Sequence, residues 1–389
     1  MERRLTISAR AVADVVIPVG VLVVLAVLFW IARGALIPFV LGIVIAYAIA
    51  PAIRAVEGRQ VGGRRVSRTL AIVLIYGVAL ACIVGLVWVI LPPLLAQIRQ
   101  LIAASPGYLT RVQTLYAGIE GWYLSLDLNP DLRREIDGWL GSASSAGLDI
   151  AQDVGLGIAS ATTRTIGFVF GLLLVPFWVF YVLRDQHHLG TQILNLFPTA
   201  WRLTVRDLAV IADRVLGSYL RGQLTLMVSI GLAVLVAAFI LGMTVSPTVG
   251  RYALLLGVVA GLTEAIPIVG PILGGAVGVG ISVVDGPSAI LWTLAAYVAI
   301  QQLENTLLVP KIMGDALELN PAILIIALAV GSQIAGLTGA VLAGPLTALA
   351  AVWIRYAQAR LRGEVDAGVI TPGTLHELRQ RPDLDQRNA

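Results

Sequence analysis

Residues 261–284 read GLTEAIPIVGPILGGAVGVGISVV, and this stretch decides the fold. It places Glu264, Pro267 and Pro271 inside sequence that is otherwise apolar enough for a membrane interior. A proline removes a backbone donor, and broken backbone is tolerated at membrane depth only where protein or a water-filled cavity surrounds it. An acidic side chain there costs about 2.5–3.5 kcal/mol and indicates a functional role. The stretch therefore predicts a polar site inside a membrane protein.

The composition supports a membrane protein. Of the 389 residues, 58% are hydrophobic and 13% are charged, whereas a soluble domain carries about 25% charged residues. Several apolar runs exceed the ~18–20 residues that cross a bilayer. We therefore predict an all-α polytopic membrane protein with about eight transmembrane segments, re-entrant or broken helices in the C-terminal third, and extramembrane amphipathic helices.

The order of apolar and charged segments predicts the topology. Apolar spans are expected at about 12–32, 35–53 and 69–91, the last one ending at Pro92-Pro93. The five arginines between positions 54 and 68 place their loop in the cytoplasm. The predicted regions are N-terminal spans 1–91, extracytoplasmic amphipathic helices 92–162, a fourth span near 164–183 with a cytoplasmic amphipathic helix in 163–222, a transport core 223–356 and a cytoplasmic tail 357–389. The part of the tail from 363 to 389 is expected to be mobile. Both termini are expected in the cytoplasm, with the protein in the bacterial inner membrane.

The region 223–356 contains two similar modules. Each has a short apolar segment of about 14 residues, 251–264 or 321–334, which cannot cross ~30 Å of hydrocarbon alone. A turn rich in Gly and Pro follows, and then a further apolar segment, 268–284 or 338–354. Either each module is a re-entrant hairpin or all the segments cross fully, and the charge pattern does not choose between them. Inverted hairpins with broken helices are typical of a transporter site.

Polar residues in these modules are the candidate pathway. Glu264 is interpreted either as a proton, cation or substrate ligand or as a favourable charge at the start of the half-helix after Pro267. Polar residues at 301–305 either line the pathway or bond neighbouring helices, and Pro310 is expected to end their helix. Gly270, Gly274 and Gly278 are spaced for close helix packing or for sliding. The candidate pathway residues are Glu264, Pro267, Gly270, Pro271, Gln301, Gln302, Glu304, Asn305, Pro310, Gln333, Gly336 and Gly339.

The motifs of several enzyme classes are missing from the sequence. Lys311 is the only lysine and follows a proline, so a Gly-Lys phosphate-binding loop is absent. His187 and His188 have no Cys or acidic residue at ligand spacing, and we predict no metal and no cofactor. The sequence therefore favours secondary transport or passive conduction rather than an enzyme.

Several motifs resemble the autoinducer-2 exporter family of bacterial membrane proteins. They include YLRGQ at 219–223, EAIPIVGPILGG at 264–275, QQLENTLLVPKIMGDALELNP at 301–321 and GLTGAVLAGPLTA at 336–348. The resemblance covers about residues 15–360 and implies about eight spans, a homo-oligomer such as a pentamer, and export of small molecules such as autoinducer-2 or, in some members, sodium/proton antiport. Asn320 departs from the pattern, since a histidine is expected before Pro321.

We therefore expect a secondary transporter that exports a small polar solute, coupled to ions through Glu264 and Glu304. The alternatives are a Na⁺(Li⁺)/H⁺ antiporter and a membrane scaffold that transports nothing. The expected partners are the lipid bilayer, the solute or ion, and further copies of the chain, without nucleic acid.

Overall fold

The computed structural model describes residues 39, 42–61, 64–124, 135, 138, 175–186, 188–313, 320–368 and 370. The predicted first span, most of the predicted fourth span, most of the predicted extracytoplasmic helices beyond residue 124, His187 and the tail beyond 370 lie outside these residues.

The fold is all-α, as predicted. In chain order the described helices are α1 (Gly42–Val56), α2 (Arg68–Leu124), α3 (175–186 and 188–195), α4 (Thr199–Thr244), α5 (Pro247–Arg251), α6 (Ala253–Thr263), α7 (Val269–Ser282), α8 (Pro287–Leu303), α9 (Val309–Met313) and α10 (Pro321–Leu361). A 3₁₀ turn at Val283–Asp285 follows α7, and a π-helical turn at Glu304–Leu308 joins α8 to α9. Strands β1 (Gln60–Val61) and β2 (Arg64–Arg65) form a small antiparallel pair between α1 and α2.

Helix α2 corrects the predicted end of the third span. It runs through Pro92-Pro93 for 57 residues, a length of about 85 Å at ~1.5 Å per residue, so it extends well beyond the hydrocarbon. The two prolines remove donors without ending the helix, and the amphipathic residues after them continue α2. Its apolar Leu94, Ile98 and Leu101 pack against the buried cluster that contains α6.

Helix α4 is likewise continuous where the sequence analysis divided it. A single helix of 46 residues joins the amphipathic segment to the apolar span. The prediction was wrong because the change in hydropathy at position 222 marks where the surroundings change and not where the helix ends. Gly222 and Gly217 do not interrupt the helix, since Gly222 packs against Met313 and Gly217 against Tyr47.

Helices α6 and α7 form the first hairpin. They contain 11 and 14 residues, lengths of about 17 and 21 Å, and neither reaches across ~30 Å of hydrocarbon. The α6 arm lies directly on α4, because a Cβ atom added at Gly257 would be 2.7 Å from the carbonyl oxygen of Gly231. Small residues permit this close approach of two helix backbones.

Helix α10 forms the second hairpin. It bends sharply at Ala335 (φ −133°, ψ 20°) and Gly336 (φ 58°, ψ −139°), and the positive φ favours glycine. The two arms fold back on each other, since a Cβ atom added at Gly331 would lie 2.6 Å from the carbonyl oxygen of Gly339. The predicted broken helices in this part of the chain are confirmed, as two helical hairpins.

The two hairpins meet each other at one buried cluster. Ile266, at the tip of the first hairpin, belongs to this cluster together with Leu324 and Leu328 on one arm of the second hairpin and Ala340 and Ala343 on the other. The tip of the first hairpin therefore packs on the second.

The chain after α10 differs from the predicted mobile tail. The Asp207 carboxylate, buried on α4, accepts hydrogen bonds of 2.7 Å from the Tyr356 hydroxyl and from the Gly368 backbone N–H. Residues up to Gly368 are therefore packed against α4.

Candidate functional site

The end of α6 fixes Glu264 against α4. The backbone carbonyl of Glu264 accepts a hydrogen bond of 2.5 Å from Nε2 of Gln223, a buried residue of α4. Carbonyl groups in the last turn of a helix have no partner within the helix, and the Gln223 amide supplies one here. The hairpin tip is thus attached to the helix that packs against both hairpins.

A strained turn follows Glu264. Ile268 has φ 70° and ψ −49°, and the Val269 N–H donates to the Pro267 carbonyl at 2.8 Å. This is the γ-turn with positive φ, a rare and strained conformation that is least favourable for a β-branched residue. Gly270 then packs against the backbone of Thr263 so closely that a side chain would overlap it. The turn reverses the chain between α6 and α7.

The second acidic residue lies where the helix geometry changes. Glu304 begins the π-helical turn, and its carbonyl accepts the hydrogen bond from the Val309 N–H. Such turns are frequent at functional sites. The prediction that Pro310 ends this helix was wrong, because Pro310 lies inside α9. The wider turn moves the preceding carbonyl groups away from the proline ring.

A cavity of about 870 Å³ connects these elements. It lies between α4, the first hairpin, the α8–α9 segment and the start of α10. Most of its lining is apolar. The polar side chains that line it are Tyr219, Gln223, Glu264, Tyr297, Gln301, Glu304 and Asn305. Within the described part of the chain, no Arg, Lys or His lines the cavity.

The structure brings together part of the predicted pathway. The predicted residues that line the cavity are Glu264, Pro267, Gly270, Pro271, Gln301, Glu304 and Asn305. The predicted residues outside its lining are Gln302, Pro310, Gln333, Gly336 and Gly339. The first four of these are exposed, and the last packs within the second hairpin.

The two carboxyl groups have few partners. Glu264 is 4% exposed and Glu304 is 6% exposed, and Oε2 of each has no hydrogen-bond partner among the described residues. Ile268 precedes α7 and no side chain caps that helix by a hydrogen bond, so the role of Glu264 as a favourable charge near the start of α7 stays an interpretation. Glu304 has one side-chain hydrogen bond, with Gln301. A buried carboxylate with an unpaired oxygen is still costly, so both groups need a proton or a bound cation.

Sequence reasoning missed three polar residues of the cavity. Tyr219 and Gln223 lie four residues apart on one face of α4, and Tyr297 lies four residues before Gln301 on α8. The hydroxyl oxygens of Tyr219 and Tyr297 are buried without a hydrogen-bond partner among the described residues. Polar residues four positions apart in an apolar helix share one face, and this spacing could have indicated a polar face on α4 and on the helix that leads to Glu304.

Three glycines of α7 make contacts of different kinds. Gly270 contacts the hairpin turn, Gly274 lies against Ala260 of α6, and Gly278 lies against the ring of Tyr297. The predicted close packing of helices is therefore present on two sides of α7, whereas sliding stays a prediction. Asn320 caps α10, because its Oδ1 accepts from the Ala322 N–H at 2.9 Å.

Two buried acidic residues in a cavity between helical hairpins of an apolar all-α protein define a membrane transporter. The chain belongs to the AI-2E family, since a family model described as "AI-2E family transporter" matches residues 19–359.

Curated relatives agree with this assignment. The chain is 26% identical over 318 residues to "Putative transport protein YueF" of Bacillus subtilis, covering 80% of this chain and 81% of the relative. It is 25% identical over 320 residues to "Putative permease PerM" of Escherichia coli, covering 81% and 85%. A third relative, "Putative transport protein MT0215" of Mycobacterium tuberculosis, is 28% identical over 261 residues, covering 64% and 66%.

Proposed function

We propose that this protein is a secondary transporter of the bacterial inner membrane that exports a small polar solute in exchange for protons. Glu264 and Glu304 are the proton carriers. The observation that carries the proposal is that both carboxyl groups are buried, lack a partner at Oε2 and line one cavity. Acidic residues inside transporters mark proton pathways.

The coupling follows from the energetics of a buried charge. A buried carboxyl group is stable in this cavity only when it carries a proton and is neutral, or when a cation lies beside the ionised form. A solute that satisfies the carboxylates therefore displaces protons, and protons displace the solute. Competition for one site allows a proton gradient to drive solute movement in the opposite direction.

The hairpins supply the elements that would move. The tip of the first hairpin shares one buried cluster with both arms of the second, so we expect these two elements to shift together against the first spans and α2 when the cavity opens to one side. Export, an autoinducer-2-like solute and assembly as a homo-oligomer such as a pentamer are supported by the family resemblance, and they belong to this proposal.

Proton flux in proteoliposomes tests the function. The purified protein is reconstituted with a pH-sensitive dye inside the vesicles, and solute-dependent proton movement is recorded for the wild type, Glu264→Gln and Glu304→Gln. We expect both variants to lose the proton movement. Glu57→Gln is the control, because Glu57 pairs with Arg68 at 3.7 Å outside the cavity. Unchanged flux and unchanged pH dependence in both cavity variants would reject the coupling role.

A second candidate is Na⁺(Li⁺)/H⁺ antiport. It is favoured by the same unpartnered carboxylate oxygens, since hard cations prefer oxygen ligands. A pulse of Na⁺ or Li⁺ to everted vesicles distinguishes the two candidates, because only an antiporter of these ions changes the internal pH in the absence of an organic solute.

A further inference from the structure

We propose that the solute held in this cavity is a small organic cation, whose polar part is an ammonium-type charge and whose remainder is an apolar or aromatic body. This inference rests on the proposed transport function and names the class of its substrate. The charge, the size and the lining of the cavity each support it.

The charge of the cavity excludes anions. Glu264 and Glu304 contribute two acidic groups, and no basic side chain lines the cavity in the part of the chain that the structure describes. Lys311 lies nearby on α9 but is exposed and is not part of the lining. An anion would therefore meet acceptors of its own sign, whereas a cation would neutralise carboxylates that are largely buried.

The size and the lining favour an organic molecule over a bare ion. Pockets for organic ligands have volumes of about 300–1,000 Å³ and are mostly apolar with a few polar groups, and this cavity of about 870 Å³ falls in that range. Its apolar surface is provided by residues such as Ile230, Val234, Val279, Leu294 and Val298. A bare Na⁺ or Li⁺ gains nothing from such a surface, whereas the body of an organic cation does.

Two aromatic rings add a feature suited to a cation. Tyr219 and Tyr297 both line the cavity. The face of a tyrosine ring attracts an ammonium group, and aromatic side chains are a common means of binding quaternary ammonium ligands. Their buried hydroxyl oxygens also lack hydrogen-bond partners among the described residues.

Protons should compete with the cation. Among the lining residues, the titratable groups that face the two carboxyl groups are the phenols of Tyr219 on α4 and Tyr297 on α8. The lining residues of α7, α9 and α10 carry no charge. Binding one proton to a carboxylate therefore releases one positive charge from the site, and the exchange of one proton for one monovalent cation conserves charge.

Equilibrium binding of tetraphenylphosphonium tests this inference. The full-length protein is purified in detergent and dialysed against radiolabelled tetraphenylphosphonium or against tetraphenylborate, which has the same shape and the opposite charge. We expect the cation to bind at about pH 8 and the anion not to bind. Cation affinity should be about tenfold or more weaker at about pH 5, because burial favours the protonated, neutral form of both carboxyl groups. Glu264→Gln/Glu304→Gln should weaken cation binding by about tenfold or more at the higher pH. Glu57→Gln should bind as the wild type does.

Several outcomes would overturn the inference. They are equal binding of the two probes, absence of cation binding to the wild type, or wild-type affinity in the double variant. If the double variant does not elute as a folded protein, cation binding by the single variants and the pH dependence of binding by the wild type test the inference instead. The proposed function fails separately. A protein that binds the cation but moves no protons refutes only transport, whereas proton exchange with an uncharged solute without cation binding refutes only this inference.

Discussion

The turn at Ile268 offers a test of the conformation of the hairpin tip. At this position the glycine variant should be more stable than the alanine variant, which is the reverse of the order expected in a helix. Ile268 adopts φ 70° and ψ −49°, a conformation that costs a non-glycine residue about 1–3 kcal/mol and that glycine adopts without strain. Val269, the next residue, begins α7 and is exposed to a similar extent, 38% against 41%. Alanine and glycine variants at the two positions therefore form a matched set.

The expected magnitude follows from two opposing contributions. Glycine loses about 0.5–1 kcal/mol relative to alanine in a helix, because it has more freedom in the unfolded chain. At position 269 this contribution acts alone, so Val269→Gly should be less stable than Val269→Ala by that amount. At position 268 the relief of strain exceeds it, so Ile268→Gly should be more stable than Ile268→Ala by about 1 kcal/mol.

Reversible unfolding in mixed micelles of a mild detergent and dodecyl sulfate measures these differences as free energies of unfolding. The lost Ile or Val side chain cancels within each pair, because both variants of a pair lack it. A glycine variant that is less stable than the alanine variant at both positions would refute the strained turn, and with it the described path of the chain between Glu264 and α7.

Two further predictions concern contacts around the cavity. Gln223→Leu removes the hydrogen bond to the Glu264 carbonyl and leaves a buried acceptor without a partner, so we expect a loss of about 1–3 kcal/mol in the same unfolding assay; wild-type stability would contradict the attachment of the hairpin tip to α4. Gly278→Ala places a methyl group against the Tyr297 ring, whereas a Cβ atom at Gly280 meets nothing within 4 Å, so the first variant should lose about 1–3 kcal/mol and the second should gain up to about 1 kcal/mol. Equal stability of the two variants would show that α8 does not pack on α7 as described.

Short sequence motifs predicted those parts of the site whose structure depends on residues close to one another in the sequence. Proline and glycine mark the tip of the first hairpin, Gly336 marks the second, and polar residues in an apolar helix mark the face that carries Glu304. These signals work because a broken backbone or a polar group inside a membrane requires a special environment.

Other features depend on contacts between distant segments and could not be predicted in this way. Gln223 reaches a carbonyl 41 positions away in the sequence, and nothing near Gln223 indicates that partner. The strained turn places a β-branched residue at positive φ, against its own preference, because the surrounding hairpin imposes it. The continuation of α2 through Pro92-Pro93 was missed because hydropathy reports where a helix leaves the membrane and not where it ends.

A double-mutant cycle of proton flux tests the central claim, which is that Glu264 and Glu304 act together in one cavity. Solute-dependent proton flux is measured in proteoliposomes for the wild type, Glu264→Gln, Glu304→Gln and the double variant at equal amounts of reconstituted protein. Residues that act as one unit have non-additive effects, so each single variant should lose most of the flux and the double variant should lose little more. The shared site would be contradicted if the fractional losses of proton flux in the two single variants multiplied in the double variant. Full flux in either single variant would also contradict it.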